Sequence, residues 1–335
     1  MDIRRPDPSL LIDLPATSLA SRVATEENLL FESQNPTMIA LLQTVKRAAA
    51  ADTTILLTGE SGTGKDVLAH QIHRWSSRRD GPFVVINCAT LADQLLENEL
   101  FGHVRGAFTG AVNDKPGRLE AGEGGTVLFD EIGELPSSLQ IKFLRFVQDR
   151  SFERIGSNRT IRVDARIVAA SSRDLGIETS AGRFREDLYY RLSVIALRLS
   201  PLRERVEDIL PLAQCLLQQI SIKAGRSPLT LSRDASEALN SYRWPGNVRE
   251  LRNALEHAAT LARSLVVTFD DLPDSIRHPV YGAAIPAPHG KGLKDFEREH
   301  ISRVLAESST LEQAAATLGI NVTTLWRKRR HYGIS

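Results

Sequence analysis

Residues 53–75 read TTILLTGESGTGKDVLAHQIHRW, and this stretch decides the fold. A β-branched run from Thr53 to Thr58 enters a turn holding Gly59, Gly62 and Gly64, and an apolar-periodic segment follows. The order is strand, loop, helix. Glycine tolerates backbone conformations that a side chain forbids. The N–H groups of Gly59, Glu60, Ser61, Gly62, Thr63 and Gly64 can therefore close around a polyphosphate at a helix N-terminus. Lys65 then reaches the β- and γ-phosphates. At average residue usage the bare spacing arises by chance in about one chain in ten of this length, and a glycine-rich turn capping an ordinary helix reads the same way. Asp66 also stands where the general pattern has a Ser or Thr that holds magnesium.

A second strand-end signal lies one βαβ unit further on. Residues 126–131 (TVLFDE) run apolar and then end in two adjacent carboxylates, which alternate across the strand. Asp130 suits Mg2+ held through water, and Glu131 suits polarising an attacking water. Residues 82–88 (PFVVINC) and 166–172 (RIVAASS) are further buried strands, with Asn87 emerging at the end of the first. Strands alternating with helices predict an α/β fold, a mostly parallel sheet with helices on both faces. The ligand then sits at the carboxyl ends of the strands, where Gly59, Asn87, Asp130 and Ser172 gather.

Ahead of the first strand, residues 36–51 are amphipathic, with Ile39, Leu42 and Val45 along one stripe. Between the second and third strands, GHVRGAFTGA at 102–111 places Gly106 and Gly110 around Phe108 and Thr109. That is a hairpin tip whose aromatic either folds back or is held out as a contact surface. Residues 184–192 (FREDLYYRL) carry Arg185 and Arg191, which either pair locally or, in a ring, reach a neighbour's γ-phosphate. Beyond residue 201 the pattern turns helical, over 209–222, 232–241 and 247–263. The last helix opens with Asn247 as cap and Glu250 at the third position, and Arg249 lies in its first turn. Residues 275–292 read as a linker. Then come helices over 293–306, 310–318 and 322–330, the last two joined at Gly319 as a helix-turn-helix. Arg327, Lys328, Arg329 and Arg330 form a basic run on the second of these, which is either a solvated face or a DNA-binding one.

The bulk figures fit this plan. The 335 residues, 42% hydrophobic and 25% charged, suit two or three soluble domains. A net charge of +1 makes no whole-chain case for nucleic acid. Cys88 and Cys215 are too few for a disulfide framework or a cysteine-rich zinc site. No apolar run reaches membrane-spanning length, so the expected location is the cytoplasm, with no membrane partner.

From about residue 31 to its end, the chain resembles the NtrC-like bacterial enhancer-binding proteins, AAA+ activators of sigma-54 RNA polymerase. GAFTGA at 106–111 is the most specific string. GESGTGKD, ELFG, LFDEIGELP, FREDLYYRL, PLRER and RWPGNVREL accompany it in the family's order. The resemblance implies an ATPase using ATP and Mg2+, with Lys65 and Asp66 in the phosphate site, Asp130 on magnesium and Glu131 on water. It makes Asn87 a nucleotide sensor acting through Glu131, Arg185 and Arg191 fingers supplied in trans, and Arg249 a second sensor. Gly106, Ala107, Phe108, Thr109, Gly110 and Ala111 become the surface that contacts sigma-54. The tail resembles a Fis-type helix-turn-helix, with Thr323, Thr324, Arg327, Lys328 and Arg330 on enhancer DNA. Expected assemblies are a dimer and a hexameric ring. At the first sensor the family commonly has Thr-Asn, and this chain has Ser171 and Ser172, which puts the coupling of hydrolysis to loop movement in question.

The implied division is a leader at 1–28, an α/β ATPase part at 29–200, a small all-helical lid at 201–274, a linker at 275–292 and the DNA-binding unit at 293–335. Most members carry an N-terminal receiver or sensing domain. With a short leader instead, either control comes from a separate regulatory protein or the chain is a fragment.

Overall fold

The computed structural model describes residues 33–90, 92–278, 293–308 and 310–332. They fall into two compact units, Met1–His278 and Pro279–Ser335. The expected leader and residues 279–292 of the expected linker lie outside the described residues.

The first unit begins with α1 (Pro36–Ala50). The Asn35 side chain caps it by accepting from the Met38 amide at 3.1 Å. Its buried stripe is Met38, Leu42 and Val45, and Ile39 points out at 39% exposure, so the face is rotated from the sequence reading. Then follow β1 (Ile55–Thr58), α2 (Lys65–Arg74), β2 (Phe83–Asn87) and α3 (Asp93–Phe101). β3 (Gly102–His103) and β4 (Lys115–Pro116) pair antiparallel as the base of a projecting loop. β5 (Thr126–Asp130) and α4 (Ser137–Asp149) precede the hairpin β6 (Ser151–Glu153) and β7 (Thr160–Arg162). β8 (Arg166–Ser171), α5 (Leu175–Ser180), α6 (Glu186–Leu192) and β9 (Ile195–Arg198) complete the α/β part.

Five strands form one sheet in the order β2-β5-β8-β1-β9, every pair parallel. α1 and α2 cover one face through Val45, Leu68 and Ile72 against Leu57 and Val168. The other face meets α3 and α4, where Phe129 stacks edge-on against Phe143 at 4.5 Å. Register aligns Asn87 with Asp130 and Thr58 with Ser171, so the strand ends converge on one rim. At the opposite end, buried Arg166 donates to the Ala49 and Ala48 carbonyls at 2.6 and 2.8 Å and closes the last turn of α1.

The lid holds α7 (Ile209–Lys223), α8 (Arg233–Ser241), α9 (Asn247–Leu261) and the short α10 (Asp274–Arg277) around fully buried Trp244. A two-residue parallel pair, β10 (Thr230–Leu231) with β11 (Val266–Val267), interrupts the expected all-helical lid. Ile276 is buried in this core, so residues 275–278 close the first unit instead of opening a linker. The cap of α9 also differs from expectation. Gly246 is the cap, and its amide donates to Glu250 Oε2 at 2.8 Å. Asn247 lies inside the helix at φ +52°, with its side chain committed elsewhere.

The second unit packs α11 (Leu293–Glu307), α12 (Leu311–Thr317) and α13 (Val322–Tyr332) around Ile301, Val304, Ala314, Ala315 and Leu325. Thr310 caps α12, and Gly319 at φ +65° makes the turn toward α13, matching the expected helix-turn-helix. No helix among the described residues is long and apolar enough to cross a membrane.

Candidate active site

The loop between β1 and α2 has Gly59, Gly62 and Gly64 at φ +147°, +79° and +96°, conformations that side chains resist. Gly64 caps α2 without a side-chain bond, which leaves the first amides of the helix turned toward the loop. Lys65 is 5% exposed and donates to the carbonyls of Gly59 at 2.8 Å and Glu60 at 3.1 Å. Burial pushes its pKa below the ordinary lysine value, against the opposing pull of Glu131 and Asp130. A buried ammonium held this way is prepared for an anion.

Across the rim, Asp130 ends β5. Burial above all, then repulsion from Glu131 and Asp66, pushes its pKa above the usual carboxylate value. A carboxylate so placed gains from a cation. Among the described residues no cluster of three or more metal-type side chains exists. This donor set suits magnesium, which keeps most of its water and takes one or two carboxylates together with substrate phosphates.

Glu131 adopts the left-handed conformation, φ +51° and ψ +48°, a strain that functional positions often retain. Its Oε2 accepts from the Ser172 amide at 2.9 Å and the Ser172 hydroxyl at 2.6 Å, while Oε1 lies 3.9 Å from Lys65 Nζ. Asn87 sits differently from the role implied for it. Its Nδ2 makes a long 3.4 Å contact with Asp130, and its Oδ1 accepts from the Ala89 amide at 2.8 Å. Strand register puts Asn87 opposite Asp130, which leaves Glu131 to the next strand end, that of β8. Ser171 is fully buried and its hydroxyl bonds the Arg173 carbonyl at 2.8 Å, so Ser172 alone of the two serines reaches the Glu131 carboxylate.

The lid grips the loop residue by residue. Arg203 forms a double ion pair with Glu60. Asn247 donates to the Ser61 carbonyl at 3.0 Å, and the Val248 amide donates to the Gly62 carbonyl at 2.9 Å. Arg249 reaches Ser61 Oγ at 2.8 Å, and Arg205 reaches the Thr63 carbonyl at 3.2 Å. A cavity of about 210 Å3 opens between loop and lid, with Met38, Val67, Leu199, Leu212, Val248 and Arg252 on its walls and Asp66 and Arg249 at its edge. It suits a flat base. Ser172 was expected at these strand ends, whereas Arg203, Arg205 and Asn247 were not expected to hold the loop, although all three fall inside the PLRER and RWPGNVREL strings.

Arg185 precedes α6 and is paired with Asp187 at 3.0 and 2.8 Å, while Arg191 is exposed and has no ion pair among the described residues. In the projecting loop, Gly106 and Gly110 take φ +84° and +101°, and the Gly106 amide bonds the Ala111 carbonyl at 2.9 Å. Phe108 is 45% exposed, and its ring meets that of His103 edge-on with the ring centroids 5.0 Å apart. It is thus partly folded back and partly held out, between the two alternatives. Ala107 is half-buried, Thr109 exposed and Ala111 buried. In the second unit Thr323, Arg327 and Arg330 are exposed and Thr324 is half-buried. The Arg330 guanidinium lies over the Trp326 ring at 5.7 Å. Lys328 instead pairs with Glu297 of α11.

Residues 31–198 match the sigma-54 interaction domain, residues 203–283 an AAA+ ATPase lid domain and residues 292–332 the Fis family of bacterial regulatory proteins. The alginate biosynthesis transcriptional regulatory protein AlgB of Pseudomonas aeruginosa is 50% identical over 306 residues, 90% of this chain and 67% of that protein. The regulatory protein AtoC of Escherichia coli is 43% identical over 310 residues, again 90% of this chain and 67% of that protein. The crystal structure of NtrX from Brucella abortus in complex with ATP is similar at a TM-score of 0.68 and 33% identity, over 95% of this chain and 73% of that one. The chain therefore belongs to the sigma-54 activator family and is an AAA+ ATPase with its lid, joined to a Fis-type helix-turn-helix.

Proposed function

We propose that this chain hydrolyses ATP in a ring oligomer and uses the Phe108 loop to remodel a sigma-54 RNA polymerase closed complex into an open one. Its Fis-type unit, acting as a dimer, holds it on upstream enhancer DNA. The observation that carries this reading is Glu131, which stands at a strand end beside the phosphate loop with one oxygen accepting two hydrogen bonds from Ser172 and the other facing Lys65.

In this reading the loop amides and Lys65 bind the phosphates, and Asp130 holds magnesium. That ion, when bound, neutralises charge on the β- and γ-phosphates. Ser172 fixes Oε2 of Glu131, so Oε1 is the atom that orients the attacking water and accepts its proton. Arg249 and the lid close over the nucleotide, and Arg185 and Arg191 of a neighbouring copy stabilise the charge that develops on the γ-phosphate. β2 ends at Asn87, and α3 follows and runs into the projecting loop. A change in what Asn87 and Asp130 bond is therefore transmitted along α3 to Phe108.

In vitro transcription from a sigma-54 promoter tests motor, loop and partner together. Open complexes should form with ATP and not with a non-hydrolysable analogue. Phe108→Ala should keep ATP turnover within about twofold and abolish open complexes, because an exposed loop tip contributes little to the core. Activation by the Phe108 variant would remove the contact role.

A further inference from the structure

The phosphate loop carries an anion of its own. Glu60 is its second residue, and a free carboxylate there would repel the polyphosphate that the loop amides and Lys65 attract. Its side chain is held on the lid side instead. Arg203 Nη1 and Nη2 donate to Oε2 and Oε1 at 2.7 and 2.5 Å, and Asn247 Nδ2 donates to Oε2 at 3.2 Å. All three donors come from lid residues. Asn247 is itself fully buried in the left-handed conformation, and its Oδ1 accepts from the Leu202 amide at 2.8 Å. That second bond fixes the amide so that its nitrogen faces the loop.

We propose that Arg203 and Asn247 form a charge clamp that neutralises Glu60 and draws it off the phosphates, making lid closure a condition of tight nucleotide binding. The inference rests on the phosphate-loop reading above and adds positioning residues to it. Swinging the lid away would release Glu60 as a bare anion beside the phosphates and so favour nucleotide release. The Arg203 bonds, ahead of the Asn247 bond, already hold the Glu60 carboxyl down at about 2, so the anion is fully formed at neutral pH and its disposal matters.

The test is calorimetric titration of the full chain with AMP-PNP and magnesium, alongside the KM and kcat of ATP turnover. Arg203→Ala should weaken binding about tenfold, the effect of one like charge several ångströms from the phosphates at an intermediate dielectric. It should act on KM and leave kcat nearly unchanged. Raising salt from about 0.05 to about 0.5 M should shrink the loss. Adding Glu60→Gln to Arg203→Ala should restore affinity to within about threefold of the unmodified chain, because the offending charge is gone. A merely structural bridge predicts the opposite, a double variant no better than Arg203→Ala, and that result, or a loss indifferent to salt, overturns the clamp. Should Arg203→Ala not fold, Glu60→Gln alone decides: retained or tighter binding supports the clamp, and weakened binding overturns it. Failure of the unmodified chain to bind AMP-PNP would overturn the functional reading itself and this inference with it.

Discussion

At the scale of single residues, the site turns on how a carboxylate is aimed. Glu131 has two oxygens and Ser172 engages only one of them, through an amide and a hydroxyl at 2.9 and 2.6 Å. The amide belongs to the backbone and survives substitution, whereas the hydroxyl does not. Ser172→Ala should therefore lower kcat about tenfold, the loss of one hydrogen bond to a charged group. KM should hardly move, since Ser172 is not among the residues assigned to the phosphates. Steady-state ATPase kinetics check this, and a raised KM at unchanged kcat would place Ser172 on the substrate instead. The same pair of bonds bears on the departure at the first sensor. Serine is shorter than asparagine, yet the left-handed turn at Glu131 brings the carboxylate to it.

At the scale of elements, the helix-turn-helix shows what a one-dimensional pattern leaves out. Arg327, Lys328, Arg329 and Arg330 are consecutive, and at about 100° per residue they sweep around the helix, so they cannot all face one groove. Leu325 faces the unit's core, and Thr323, Trp326, Arg327 and Arg330 lie exposed. Lys328 turns back to Glu297, which also accepts from the Tyr332 hydroxyl at 2.5 Å. Arg327→Ala should accordingly weaken DNA binding and reduce the slope of log affinity against log salt by about 1. Lys328→Ala should leave the slope alone. Gel shifts across a salt series separate the two, and an equal change in slope would put Lys328 on phosphate after all. Much else at this scale was legible. The strands ending at Thr58, Asn87 and Asp130 announce themselves as continuous apolar runs, although the Asn87 strand, expected to be buried, is a sheet edge with only Ile86 buried. β9 is absent from that expectation although residues 194–197 are all apolar; it is a four-residue edge strand with only Leu197 buried. Asn247 misled for a physical reason. Asn followed by Glu at the third position reads as a helix cap, but bonds to Glu60, Ser61 and Leu202, distant in sequence, claim the side chain.

At the scale of the whole molecule, Arg185 just ahead of α6 and Arg191 within it decide whether one chain is a complete enzyme. Lys65, Glu131 and Ser172 meet on the strand-end rim, while Arg185 is bonded to its neighbour Asp187 and Arg191 faces solvent. An arginine spent on a neighbour's phosphate makes every active centre a property of two copies, and such head-to-tail contacts close into rings. Complementation tests this directly. Lys65→Ala removes nucleotide binding from a chain but leaves it Arg191 to offer, and Arg191→Ala does the reverse, so each variant alone should be nearly inactive. In an equal mixture that exchanges subunits, half the chains bind nucleotide. Half of those sit beside a copy with an intact Arg191. Turnover should thus recover to about a quarter of the unmodified rate if the centres act independently. If Arg191 served its own chain, no mixture could assemble a working centre, and turnover would stay at the sum of the two separate variants at every ratio.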